Sequence, residues 1–218
     1  MEKLKISKKN LNEVVEKTLK FIKQGKVVVC PTDTVYGLIA DATNKKAVKK
    51  VFQIKKRSFR KPIPIFVKDL KMARSLAIIN KNQEKFLKKF WPGKATVILK
   101  AKNQKFPKGV VSVDKKIGLR IPNYKIINQL LLILKCPLTG TSANISGKPE
   151  STKINEVLKQ FKNQKYKPDL ILDAGNLKPS LPSTAIDLEN FKILREGEFP
   201  REEILKILKK KSEKRYKE

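Results

Sequence analysis

Val27-Val28-Val29-Cys30-Pro31-Thr32-Asp33-Thr34-Val35-Tyr36-Gly37 is the stretch whose reading decides the fold class. Its first four residues are continuously apolar, as in a strand buried on both faces, and Pro31 to Gly37 reads as a polar turn at that strand's end. Upstream, Asn10 followed by Glu13 resembles a capping box opening an amphipathic helix. That helix carries Leu11, Val14, Val15, Thr18, Phe21 and Ile22 on one side and is stopped by Gly25. Downstream, Asn44 caps a second helix bearing Ala47, Val48, Val51, Phe52 and Ile54. Helices interleaved with a buried strand indicate an α/β domain.

The same alternation continues along the chain. The pattern predicts strands over Ile63–Val67, Ala95–Leu99, Ile117–Ile121, Pro137–Thr139, Leu170–Leu172, Thr184–Leu188 and Lys192–Leu194. It predicts helices over Asp69–Leu76, Lys81–Phe90, Tyr124–Leu134 and Ile154–Phe161. A last helix starts at Pro200, with Glu202 and Glu203 in its first turn where the helix dipole favours them. No internal repeat and no Gly/Ser/Pro-rich linker divides the chain. Residues 1–208 therefore read as one domain and residues 209–218 as a basic C-terminal tail.

Composition narrows the chemistry. The 218 residues hold 51 Lys plus Arg, 20 Asp plus Glu and no histidine, a net charge of +31. A Ser-His-Asp triad, a Cys-His dyad and histidine-bound zinc are excluded within the chain, and two cysteines, Cys30 and Cys136, cannot build an all-cysteine zinc site. Those cysteines form no CxxC pair, the N-terminus is charged where a signal peptide is apolar, and the longest apolar run, Leu130 to Leu134, is too short for a bilayer. These features predict a cytoplasmic protein with no membrane partner. The tail holds six bases and two acids (+4), which leaves +27 spread over the body; this suits polyanions such as RNA or nucleotides, and equally a lysine-biased composition, with 44 Lys against 7 Arg, that decorates every exposed face. Only seven of the 51 basic residues are arginine, so each arginine invites a question about its planar fork.

The familiar phosphate loops do not occur. There is no G-x-G-x-x-G, and Gly140 and Gly147 are separated by six residues, with Pro149 where a P-loop needs Ser or Thr. Three other polar loops stand out. Thr32, Thr34 and Tyr36 place hydroxyls two residues apart, on one side of an extended segment. Lys55, Arg57 and Lys61 concentrate cations beside Pro62. Thr141, Ser142, Asn144 and Ser146 place hydroxyls and an amide in a small-residue turn ending at Gly147. Cations with short donors suit binding and polarising phosphate and carboxylate oxygens. Each loop alone is equally well a turn, a solvated charge run or a helix cap.

Taken in order with their flanks, these loops resemble a known family. Pro31-Thr32-Asp33-Thr34-Val35-Tyr36-Gly37-Leu38 is similar to the opening signature of the YrdC/Sua5 family of threonylcarbamoyl-AMP synthases. Ile54 to Arg57 with Lys61-Pro62 resembles its KxR motif and following Lys-Pro. Trp91-Pro92-Gly93, Gly118 to Pro122, Thr141 to Gly147 with its SxN element, Ser183 to Asp187 and Leu194 to Gly197 resemble later motifs. The likeness covers about residues 10 to 208 and the family's short form. Phe66 stands where many relatives have histidine and cannot hydrogen-bond a substrate. Asn123 and Pro182 replace a polar or acidic residue and a glutamate.

The resemblance implies a YrdC-like twisted mixed sheet flanked by helices around a basic cavity. It implies synthesis of threonylcarbamoyl-AMP and pyrophosphate from L-threonine, bicarbonate or CO2 and ATP, with Mg²⁺ carried on the ATP phosphates. The product would serve N6-threonylcarbamoyladenosine formation at tRNA position 37 by a separate threonylcarbamoyl transferase complex. Carried onto this sequence, Thr34, Arg120 and Ser183 hold threonine, with Arg120 forking its carboxylate. Arg57, Lys61, Ser142, Asn144 and Arg195 bind ATP, and Lys55, Arg57, Ser142 and Asn144 form the catalytic group. Two other readings remain open at this point. One is a non-catalytic module binding double-stranded RNA or tRNA. The other is a carbamoyl-adenylate-forming domain like that of hydrogenase maturation proteins.

Overall fold

A computed structural model describes residues 1–102, 106–204 and 206. The apolar run forms a strand, β2 (Val28–Cys30), flanked by β9 (Leu170–Asp173) in parallel and β3 (Gly37–Ile39) in antiparallel pairing. It needs no polar alternation because both of its faces are covered. Val28 and Cys30 pack into a cluster with α1 (Leu11–Lys23) and α5 (Lys125–Leu134), while Val29 packs on the other side with Ala47, Val48, Val51 and Phe52 of α2 (Lys45–Lys55).

The expectation of one mixed sheet becomes two. The first has strand order β1-β9-β2-β3-β8, with β1 (Glu2–Lys5) and β8 (Thr141–Ser142) at its edges. The second has order β11-β10-β5-β6-β4-β7. Its strands are β4 (Ile65–Phe66), β5 (Ala95–Lys100), β6 (Lys116–Arg120), β7 (Leu138–Thr139), β10 (Thr184–Asp187) and β11 (Lys192–Arg195). Both sheets mix parallel and antiparallel pairs. Helices α3 (Leu70–Leu76), α4 (Lys81–Phe90) and α6 (Ile154–Phe161) complete the described elements.

The chain passes from β7 of one sheet to β8 of the other through a single residue, Gly140. Its N–H donates to the Pro64 carbonyl at 2.9 Å, and a Cβ there would lie 2.8 Å from the Phe66 ring. Glycine is thus the residue this crossover admits. All the polar loops singled out in the sequence gather near it.

Several expectations are corrected in detail. The strand over Ile63–Val67 shrinks to Ile65–Phe66, because Pro62 and Pro64 have no N–H to give a ladder. The strands β1, β3 and β8 escaped the sequence reading: β1 is an exposed, lysine-rich edge, and the other two are two or three residues inside apparent turns. Asn10 does not cap α1. Its side chain accepts from Ser7 and donates to the Lys5 carbonyl, so the box with Glu13 does not form. Asn44 does cap α2, accepting from the Ala47 N–H at 3.0 Å, and a capping box forms instead at Asn80 with Gln83 on α4. Residues 201–204 are helical as expected after Pro200, whereas the boundary at 208 and the tail lie outside the described residues. Among the described residues no helix is long and apolar enough to cross a membrane.

Gly140→Ala should lower stability by about 1–3 kcal/mol through overpacking against Phe66. Urea denaturation reads this directly, and adding Phe66→Leu should recover part of the loss.

Candidate functional site

The site begins where α2 stops. Lys56 adopts a left-handed conformation (φ +48°), and the N–H groups of Lys56 and Arg57 return to the Gln53 and Phe52 carbonyls. Lys55, the last helical residue, follows Val48, Val51 and Phe52 on the buried face of α2 and is 2% exposed. Its ammonium lies 2.6 Å from the Ser142 carbonyl, 3.0 Å from the Asn144 carbonyl and 2.7 Å from Asn144 Oδ1. Burial first, then Arg57 and Arg195, pull its pKa down to about 7. Arg57, two residues on, is bonded within its own loop. Its Nε donates to the Lys61 carbonyl at 2.7 Å and its Nη2 to the Pro62 carbonyl at 3.0 Å, which fixes the cationic loop around the guanidinium. Burial and Arg195 lower the Arg57 pKa as well.

The 142–148 loop is bonded internally. Ser142 Oγ donates to Asn144 Oδ1 at 2.7 Å, Asn144 Nδ2 donates to the Lys148 carbonyl, and the Ser146 N–H donates to the Lys55 carbonyl at 2.7 Å. Gly147 turns the chain at φ +86°, where a Cβ would find open space, so the constraint there is backbone conformation alone.

Arg120, at the end of β6, is 4% exposed and held on three sides. Nε donates to the Gly93 carbonyl at 2.9 Å, Nη2 meets Asp33 Oδ1 at 2.6 Å, and Nη1 reaches Thr34 Oγ1 at 3.3 Å. The Phe66 ring lies beside it, 5.8 Å from centroid to Cζ. Burial lowers the arginine's pKa, opposed by Asp33 and reinforced by Arg195. Asp33 also accepts from the Asn123 N–H at 3.1 Å, so the position that departs from the family pattern contributes backbone only. The segment before β3 is a bend and not an extended run: Thr32 Oγ1 donates to the Val35 carbonyl and accepts from the Thr34 N–H. Thr32 and Thr34 hydroxyls meet at 3.1 Å, but the Tyr36 hydroxyl leaves them to bond Gly175 and Ala174. Ser183 Oγ pairs with Thr96 Oγ1 at 2.8 Å, and Arg195 Nη2 donates to the Ser183 carbonyl at 2.8 Å.

Two cavities result. A narrow one, about 100 Å³, is bordered by Thr34, Arg120, Ser183, Phe66, Pro182 and the Gly140 crossover. A wide one, about 710 Å³, is bordered by Lys55, Lys61, Asn144, Gly147, Lys148 and Glu150 among others. Arg57, Ser142 and Arg195 border both. Every candidate read from the sequence therefore borders one cavity or the other. The sequence reading missed Asp33, which hid between two threonines in an apparent turn, and Glu150, an acid in a lysine-rich stretch with no pattern of its own.

Removing Asp33 would leave Arg120 buried, charged and without its ion-pair partner. Asp33→Ala should cost about 3–5 kcal/mol, the scale for breaking a buried pair, measured as a lowered denaturation midpoint; Asp33→Asn, which keeps an acceptor, should cost less.

The profile of the family described as telomere recombination, Sua5/YciO/YrdC, matches residues 20–197. A Methanocaldococcus jannaschii protein named as a candidate threonylcarbamoyl-AMP synthase is 43% identical over 193 residues, 85% of this chain and 88% of its own length. A Pyrococcus abyssi threonylcarbamoyl-AMP synthase is 36% identical over 191 residues, 86% of this chain but 55% of its own. This chain thus spans about half of that longer relative. The crystal structure of P. abyssi Sua5 complexed with L-threonine superposes with a TM-score of 0.83 at 32% identity, over 94% of this chain and 60% of that one. The chain belongs to the Sua5/YciO/YrdC family.

Proposed function

We propose that this protein is an L-threonylcarbamoyladenylate synthase. The observation that carries the reading is the shared wall: Arg57, Ser142 and Arg195 border both a cavity of amino-acid size and a wide, cation-lined one. Two reactants held on either side would meet at those three residues. The relatives' names and the threonine complex of the P. abyssi structure support the same assignment.

In this reading threonine occupies the narrow cavity, with its carboxylate toward Arg120 and its neighbours Thr34 and Ser183. The amine adds to CO2, loses a proton and becomes a carbamate. A carbamate oxygen attacks the α-phosphorus of ATP, forming the mixed anhydride as pyrophosphate departs. Two anions must approach, so the chain's main task is positioning and charge neutralisation, which a site without histidine can perform. The triphosphate lies in the wide cavity, whose border carries six cationic side chains and one carboxylate, Glu150. Mg²⁺ enters with the substrate on the ATP phosphates. A separate threonylcarbamoyl transferase would then consume the adenylate on tRNA. The purely RNA-binding reading gains nothing from a narrow cavity bordered by a buried arginine.

Pyrophosphate release should require threonine and bicarbonate together. Arg57→Lys and Arg120→Lys should each lower it by about 10²–10³-fold, because a point charge cannot reproduce the planar fork, and Arg120→Lys should also lower the melting temperature, since one ammonium cannot meet Gly93, Thr34 and Asp33 together. Release independent of threonine, or full activity in both folded variants, would contradict the assignment.

A further inference from the structure

Lys55 stands apart from the other cations of the site. Arg57, Lys61 and Arg195 keep part of their donors toward open space, whereas the Lys55 ammonium has three N–H groups and three acceptors within 2.6–3.0 Å. All three acceptors belong to the 142–144 turn, 87 to 89 residues away in the chain. Two of them are main-chain carbonyls, so the ammonium fixes the path of the backbone. The third, Asn144 Oδ1, also receives the Ser142 hydroxyl, which sets the amide so that Nδ2 faces the Lys148 carbonyl. The Lys55 main chain adds a fourth tie through the Ser146 N–H.

This turn is the wall between the cavities. Gly140, Thr141 and Ser142 border the narrow one, and Ser142, Asn144 and Ser146 through Pro149 border the wide one. Without the ammonium, three oxygens carrying partial negative charge would face each other beside the space assigned to phosphates. The pinned turn would lose its geometry and become repulsive to an anion.

We propose that Lys55 is a positioning residue, acting on both substrates through the 142–148 loop and not by contact with phosphate. The proposal rests on the functional reading above and refines it: one ammonium sets the shape of the threonine subsite and of the nucleotide subsite together. A direct phosphate ligand would affect the nucleotide alone.

Lys55→Met removes the charge while keeping the length of the side chain. Three measurements decide the role: calorimetric binding of L-threonine without nucleotide, binding of Mg·ATP without threonine, and hydrogen exchange of the 142–148 amides in the substrate-free protein. We expect both affinities to fall, threonine by about tenfold as is typical of coupling through a contact network, and exchange in the loop to rise. Asn144→Ala, which borders only the wide cavity, should also weaken threonine binding, and the double variant should bind no more weakly than Lys55→Met. Loss of ATP affinity alone, with threonine binding and exchange at wild-type levels, would overturn the proposal, as would losses that multiply in the double variant. Should Lys55→Met fail to fold, the same readouts on Asn144→Ala decide. If the unaltered protein binds neither substrate, the functional reading fails, while the exchange experiment still decides whether Lys55 pins the loop.

Discussion

Lys55, Arg57, Arg120 and Arg195 line two adjoining cavities, and the structure depends on how these cations are kept there before any anion arrives. Lys55, Arg57 and Arg120 all have lowered pKa values, chiefly from burial, with Arg195 adding to each. Left alone, such a group would spread apart or fill with counter-ions. Here main-chain carbonyls do the holding: Ser142 and Asn144 for Lys55, Lys61 and Pro62 for Arg57, Gly93 for Arg120, Ser183 for Arg195. Carbonyl dipoles fix position without neutralising charge, so the field remains for the ligand. Arg120, the most buried of the arginines, adds a full counter-charge in Asp33.

The fold supplies those carbonyls from distant parts of the chain because two sheets meet at Gly140. A one-residue crossover brings β8 of one sheet beside β4 and β7 of the other, and Gly37 at the start of β3, Arg120 at the end of β6 and Ser183 just before β10 border the same cavity as Gly140. A side chain larger than hydrogen at this point would collide with Phe66. Phe66 in turn lies beside the Arg120 guanidinium and serves the narrow cavity as an apolar wall.

Much of this was legible in the sequence, and the reasons differ by element. The buried strand Val28–Cys30, the Asn44 cap and the helices Lys81–Phe90 and Ile154–Phe161 follow from local apolar patterns that tertiary packing only reinforces. The strands β3 and β8 were not legible, since two or three residues carry no periodicity and exist only because a partner from another loop lies beside them. Asn10 and Glu13 satisfied a capping pattern, yet the nearby Ser7 and Lys5 backbone competed successfully for the side chain. The candidate site residues were found through arginine scarcity and ordered motifs. The internal use of Lys55, and the role of Asp33, could not be found that way. Each depends on a contact across more than eighty residues.

The most direct test of the account is a crystal structure with L-threonine and a non-hydrolysable ATP analogue. The amino acid should lie in the narrow cavity with its carboxylate at Arg120, the triphosphate in the wide cavity beside Arg57 and Arg195, and the amine should be directed across Ser142 toward the α-phosphorus. Both ligands in one cavity, or an amino acid whose carboxylate lies away from Arg120, would contradict it.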